Sequence, residues 1–285
     1  MDDQPTPNPT TRKTNSSAKN VEKQITPAPL PYLARIPTSG IFEDDWRARP
    51  TRSHPYPVIL IHGTGVTKSD WKDLGADLRQ AGYAVWAPDF GNRSTQPVAE
   101  SAAQIAAYID AVLQVTGAEK VILVGHSQGG VLARFWMHHL GGAQKTHHLV
   151  CLAVPNHGTT PGGIISSLTR TAQGGRFIDN IIDTWFGPSG FELLDNSPLI
   201  EELNAHAETL NNVYYSCIAT KSDVVISPPE SCFLAGENVH NIFIQDRHHF
   251  AVVMHEDMPK DARVRALILE EINQYNDKAT TIETT

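Results

Sequence analysis

The sequence predicts one α/β domain built on a mostly parallel central sheet flanked by helices. Three observations carry this. Short apolar, β-branched runs recur from Val58 onward, and segments with helical spacing separate them. The runs lack the apolar–polar alternation of a half-exposed strand, so they belong to strands covered on both faces. The 285 residues, 40% hydrophobic and 19% charged, can bury a full core.

Each element follows from local signals. Val58–Ile61 is a strand bounded by Pro57 and Gly63. Trp71, Leu74 and Leu78 recur at helical spacing within Trp71–Gln80, and Gly82 ends that segment. Tyr83–Trp86 is the second strand. Ala102–Val115 is an amphipathic helix closed by Gly117. Val121–Val124 is the third strand, and the helix Val131–Leu140 stops at Gly141 and Gly142. His148–Val154, Val213–Ala219 and Val239–Ile244 are the remaining strands, and Val264–Tyr275 is the last helix. The alternation lapses between Thr159 and about Asn212, where glycines break up apolar patches such as Trp185-Phe186. An insertion of this length is expected to be either a lid over a site or a few short helices filling one side of the sheet.

The front of the chain differs. Ten of the 19 prolines precede Val58. Residues 1–30 have almost nothing to bury and are expected to be a disordered tail. Residues 31–57 add Tyr32, Leu33, Phe42 and Trp46, and are expected to form an extended lead-in packed on a domain at 58–278. Residues 1–57 carry eight Lys/Arg against six Asp/Glu, whereas the rest carries 15 against 25. An acidic body argues against a nucleic-acid partner, because phosphate binding needs a basic face. No apolar run reaches 18 residues, so no transmembrane segment is expected. Met1-Asp2-Asp3-Gln4 lacks a basic n-region and an apolar h-region, so no secretory signal is visible. Three cysteines do not describe a disulfide framework. Cys217 and Cys232 either pair or are buried free thiols.

The chemistry concentrates in four places. Gly125-His126-Ser127-Gln128-Gly129 follows a buried strand and precedes a helix, the context in which G-x-S-x-G forms a nucleophile elbow. A serine on so tight a turn leaves no room for side chains two positions away, which Gly125 and Gly129 satisfy. His62-Gly63-Thr64-Gly65 follows the first strand. Its Thr64 N–H would join the N–H of Gln128 as an oxyanion hole, while His62 shapes the loop by hydrogen bonding. Asp223 lies in the loop after the fifth strand, where an acid that orients a histidine belongs. Of the histidines after the sixth strand, motif order leaves His249 and His255 open as the general base. His138-His139, His147-His148 and His248-His249 are adjacent pairs that do not converge on one ion, and no metal-ligand spacing appears. No metal and no cofactor is expected.

These motifs resemble the α/β-hydrolase fold and, within it, the small bacterial class 2 lipases and esterases of the actinobacterial type. The resemblance runs from about Trp46 to Tyr275. It is carried by Pro57-Val-Ile-Leu-Ile-His-Gly-Thr64, Gly125–Gly129, Leu152-Ala-Val-Pro-Asn-His-Gly-Thr159, Thr220-Lys-Ser-Asp-Val-Val225 and Asn241-Ile-Phe-Ile-Gln-Asp246. It implies a serine carboxylester hydrolase acting on acylglycerols or similar esters. In such lipases a Gln-Asp pair ends the last strand and the base follows about ten residues later. By that spacing the resemblance implies His255, although a strand-based alignment to shorter relatives would choose His249. Relatives usually have Cys where His248 stands and a polar run where Phe250–Met254 stands. Related lipases are mostly exported, which the visible start does not explain. The same residues would also serve acyl transfer to an acceptor other than water, and a non-catalytic binding protein is the third alternative.

Overall fold

The computed structural model describes residues 30–35, 40–166, 182–205 and 207–282, with the backbone alone at 165–166 and 277–282. Six strands form one sheet: β1 (Val58–Ile61), β2 (Val85–Trp86), β3 (Val121–His126), β4 (Thr146–Leu152), β5 (Tyr214–Ala219) and β6 (Val239–Phe243). All neighbours pair parallel, in the order β2-β1-β3-β4-β5-β6. Side chains alternate across a strand, so every strand feeds two cores. Ile59, Ile61, Leu123, Leu149 and Cys217 join the core that holds Ile105, Ile109 and Trp136. Val58, Leu60, Val124, Val150 and Ile218 join the core that holds Leu74, Leu78, Val264 and Ile268. Helices α1 (Lys72–Gln80) and α7 (Ala262–Ile282) thus cover one face, and α2 (Val98–Thr116) and α3 (Gln128–His139) cover the other. The predicted parallel α/β sheet is what the chain forms.

Several boundaries move, for reasons outside the local pattern. The helix expected at Ala102 begins at Val98, because the Glu192 carboxylate, far along the chain, accepts the Val98 N–H at 2.8 Å. The second strand shortens to Val85–Trp86, although the Ala84 carbonyl still accepts from Val58. The fourth strand starts at Thr146, with His147 and His148 both buried. His148 Nε2 bonds Ser216 Oγ at 2.9 Å, and His147 stacks on Tyr56 with ring centroids 4.4 Å apart. The sixth strand ends at Phe243, and Ile244 opens a helical turn whose Asp246 carboxylate accepts the Phe243 N–H.

The expected tail at 1–30 lies outside the described residues except for Leu30. In the insertion, residues 167–181 and 206 also lie outside them. Its described parts include α4 (Pro161–Ser166), α5 (Pro188–Glu192) and α6 (Pro198–Asn204). Ile164, Ile182, Phe186, Leu193, Ile200 and Leu203 are buried in the same core as α2 and α3. Cys151, Cys217 and Cys232 are buried free thiols, so Cys217 and Cys232 do not pair. Among the described residues no helix is long and apolar enough to cross a membrane.

Burial gives the fold a pH dependence. It pushes the pKa of His148 down to about 3 and that of His62 down to about 4. Both rings stay neutral in the fold and take up a proton on unfolding below about pH 6.5. Their contribution is fully present above pH 6.5 and is lost as pH falls toward the folded values, at about 1.4 kcal/mol per pH unit for each ring. Asp70 and Glu192, whose carboxyls burial pushes up, act in the opposite direction. The urea midpoint is expected to fall between pH 7 and pH 5, and His148→Asn, which cannot charge, should flatten that fall.

Candidate active site

The centre of the sheet presents Ser127 at the carboxyl end of β3. Its backbone has φ 52° and ψ −128°, a strained conformation for a residue with a side chain. The turn holds because β3 and α3 pin both ends of it. Ser127 N–H donates to the Leu152 carbonyl of β4 at 2.9 Å, and the Ser127 carbonyl accepts from Gly130. A Cβ at Gly125 would lie 2.6 Å from Gly130 Cα, and one at Gly129 would lie 2.7 Å from the His62 carbonyl oxygen and nearer still to that of Ile61. Ser127 itself is nearly buried.

The structure brings His255, and not His249, to Asp223. His255 Nδ1 lies 2.8 Å from Asp223 Oδ2. The second carboxylate oxygen, Oδ1, accepts the N–H groups of Val225 at 2.8 Å and Ile226 at 2.9 Å. Asp223 therefore faces His255 in one orientation, with its side chain fully buried and that of His255 nearly so. His249 sits exposed on the loop that leads away from the Ile244–Arg247 turn. Ser127 and His255 line the same cavity of about 310 Å³.

Thr64 lines that cavity, and its hydroxyl donates to Gln128 Oε1. Neither the Thr64 N–H nor the Gln128 N–H donates to another protein group among the described residues. The latter is one of the orphan donors at the start of α3. The loop that carries Thr64 is braced from behind. His62 stacks on Phe90 with centroids 4.1 Å apart, and its Nδ1–H donates to the Gly63 carbonyl at 2.9 Å. Burial keeps the His62 ring neutral, so it serves as a brace rather than a charge.

Four features of the site were not read from the sequence. His126 Nε2 lies 3.0 Å from the His255 carbonyl oxygen, so the residue before the serine holds the backbone of His255. Burial pushes the His126 pKa well down, which makes its Nε2–H a neutral donor. Residues Gly91–Ser94 form a left-handed turn, with φ between 48° and 63°, and the Arg93 carbonyl accepts the Gly65 N–H at 2.8 Å. Arg134 is fully buried and, among the described residues, has no carboxylate within ion-pair distance. It donates to the carbonyls of Asn156, Leu203 and Glu208 and to Asn204 Oδ1, which ties the segment after α6 to α3. Leu33, in a one-turn 3-10 helix at Tyr32–Arg35, lines the cavity from the chain's front. Each contact joins residues far apart in sequence, and only the G-H-S letters carried any local signal of one. Among the described residues no group of three or more His, Cys, Asp or Glu is placed to hold a metal ion.

A family model described as the alpha/beta hydrolase family matches residues 58–266. The chain belongs to the alpha/beta hydrolase family. A triacylglycerol lipase from Pseudarthrobacter phenanthrenivorans is 38% identical over 87 residues, which cover 28% of this chain and 27% of that protein. The chain thus spans about a quarter of the length of the curated relatives it matches. In structure it is similar to Aspergillus fumigatus lipase B, with a TM-score of 0.62, 18% identity, and 76% of this chain and 52% of that one covered. It is also similar to a monoacylglycerol lipase from Paleococcus ferrophilus, with a TM-score of 0.55, 19% identity, and 77% and 96% covered. At these identities the two structures speak for the fold alone.

Proposed function

We propose that the protein hydrolyses carboxylic esters through an acyl-serine intermediate, with acylglycerols or shorter lipid-like esters as substrates. The observation that carries the reading is the 2.8 Å Asp223–His255 pair at the cavity that holds the strained Ser127. Ser127 Oγ attacks the ester carbonyl carbon while His255 Nε2 takes its proton. Asp223 keeps the His255 proton on Nδ1 and stabilises the imidazolium that forms. The negative charge on the carbonyl oxygen is met by the N–H groups of Thr64 and Gln128, each worth about 3 kcal/mol in the transition state. The tetrahedral species then expels the alkoxide, which leaves as the alcohol with the proton from His255. Water repeats the cycle on the acyl-enzyme and returns the acid.

The cavity wall supports an apolar acyl or alcohol group. Ile164, Phe186, Leu193, Val225 and Ile226 line it. The acidic body suits a neutral ester better than a polyanion. The lipase relatives support the same class of chemistry. The test is a ladder of acyl esters with wild type and Ser127→Ala. Turnover is expected to fall by a factor on the order of 10⁵ or more in the variant, and a fluorophosphonate should label wild type at Ser127 and leave the variant unlabelled. Wild type that cleaves no ester of any length, or a variant that keeps its rate, would refute the reading.

A further inference from the structure

Leu33 is set apart from the rest of the cavity wall. Among the described lining residues it alone lies outside residues 58–266, on a turn that precedes the first strand by more than twenty residues. That turn is seated on three sides. Gly65, at φ 80°, follows Thr64 directly, and a Cβ there would lie 2.9 Å from Leu33 Cβ and 3.1 Å from its Cδ1. Glycine is thus what lets Leu33 approach the loop that carries Thr64. On the second side the turn packs on the left-handed residues Gly91–Ser94, which also hold Gly65 through the Arg93 carbonyl. On the third, Tyr32 lies against Trp185 with centroids 5.2 Å apart, and Pro31 packs at Gly187, where a Cβ would meet Pro31 Cγ at 2.9 Å. Trp185 and Gly187 flank Phe186, which lines the same cavity.

We infer that residues 31–35 form a strap across the substrate cavity and that Leu33 is a specificity-determining wall residue that limits the length of the chain the cavity accepts. The inference rests on the proposed role of Ser127 as the nucleophile. Leu33 and Phe186 each lie next to one partner of a single contact, Tyr32 on Trp185, so the strap and the insertion meet where both contribute to the cavity wall. Truncating Leu33 lengthens the apolar cavity, and enlarging it shortens the cavity. In an apolar pocket, one methylene more or less changes discrimination between substrates by about tenfold or more.

The experiment uses the full chain as wild type, Leu33→Ala and Leu33→Trp. The reading is the ratio of rates for a long and a short member of a series, which does not depend on the fraction of protein folded. Two series are run in parallel: straight-chain acyl esters from acetyl to decanoyl, and alkyl fluorophosphonates of short and long chain, which label Ser127 without turnover. Leu33→Ala is expected to raise the long-to-short ratio by about tenfold or more and Leu33→Trp to lower it by as much, in both series. Ratios unchanged in both variants while wild type cleaves esters would overturn the strap and leave the hydrolase reading standing. Labelling ratios that shift while no ester is cleaved would support the strap and overturn the hydrolase reading. Absence of labelling in wild type would overturn both.

Discussion

His255→Ala is expected to lower kcat/KM for ester cleavage by about four orders of magnitude, and His249→Ala to leave it within about twofold. The first figure corresponds to about 5.5 kcal/mol of lost transition-state stabilisation. It follows from geometry. His255 makes a 2.8 Å contact with a carboxylate whose other oxygen is held by two backbone N–H groups. His249 is solvent-exposed, with Asp223 engaged elsewhere. In the proposed mechanism, removing the imidazole leaves Ser127 without a proton acceptor, while the Thr64 and Gln128 donors remain. Some residual rate above the uncatalysed reaction should therefore survive. Asp223→Asn keeps the shape of the side chain but frees the His255 tautomer, and should cost a loss of similar size. The sharp comparison is between the two histidines, since both are four to ten residues past Gln245 on one loop. A loss of activity on His249→Ala with His255→Ala near wild type would refute the assignment, and with it the role given to Asp223.

The sheet was legible because buried parallel strands announce themselves as short β-branched runs. Val58–Ile61 and Val121–Val124 needed no tertiary information. Ser127 was legible for a related reason: the strand, the two glycines and the following helix that a tight serine turn needs are all within a dozen residues of one another. Asp223 was legible as an acid after a strand. The histidine that pairs with Asp223 was not legible from local pattern, because three histidines follow β6 and only the folded loop decides which one meets a carboxylate 32 residues earlier. The resemblance to known lipases pointed to His255 by a spacing rather than by a contact.

What stayed hidden are contacts that close over long separations. The Glu192 cap moves the start of α2 by four residues from where helical periodicity begins. His126 looked like one letter of a serine motif, and in the fold it braces the backbone of His255 across 129 positions of sequence. Three consecutive left-handed residues with side chains, Asn92, Arg93 and Ser94, have no composition cue beyond Gly91. Arg134 lies within the helix predicted at Val131–Leu140, and nothing local marks it out. Both terminal nitrogens of its guanidinium donate to carbonyl and amide oxygens of two distant segments. The sequence-level rules are local, and these residues are placed by what the completed fold puts beside them.

Gly129→Ala is expected to destabilise the protein by about 3 kcal/mol and to lower the rate of Ser127 labelling by about a hundredfold in the fraction that folds. The added methyl group would meet the Ile61 carbonyl oxygen and lie 2.7 Å from the His62 carbonyl oxygen, both backbone. Neither can swing aside as a flexible side chain could. Ile61 is in register with Gly125 on β3, in the interior of the sheet, so β1 cannot retreat without breaking that pairing. The strain must then go into the start of α3 or into the His62–Thr64 loop. The first carries the Gln128 N–H and the second the Thr64 N–H, so either response spoils the proposed oxyanion site while Ser127, His255 and Asp223 are all still present. Gly141→Ala provides the control. It also has a positive φ, 78°, but nothing lies within 4 Å of its Cβ position. It should cost only the backbone strain, about 1 kcal/mol, and leave labelling as in wild type. Urea unfolding and fluorophosphonate labelling of both variants separate crowding at the nucleophile turn from the general cost of a left-handed residue. If Gly129→Ala proved as stable as Gly141→Ala and labelled as fast, the close approach of β1 to the serine turn would not be what this glycine is for.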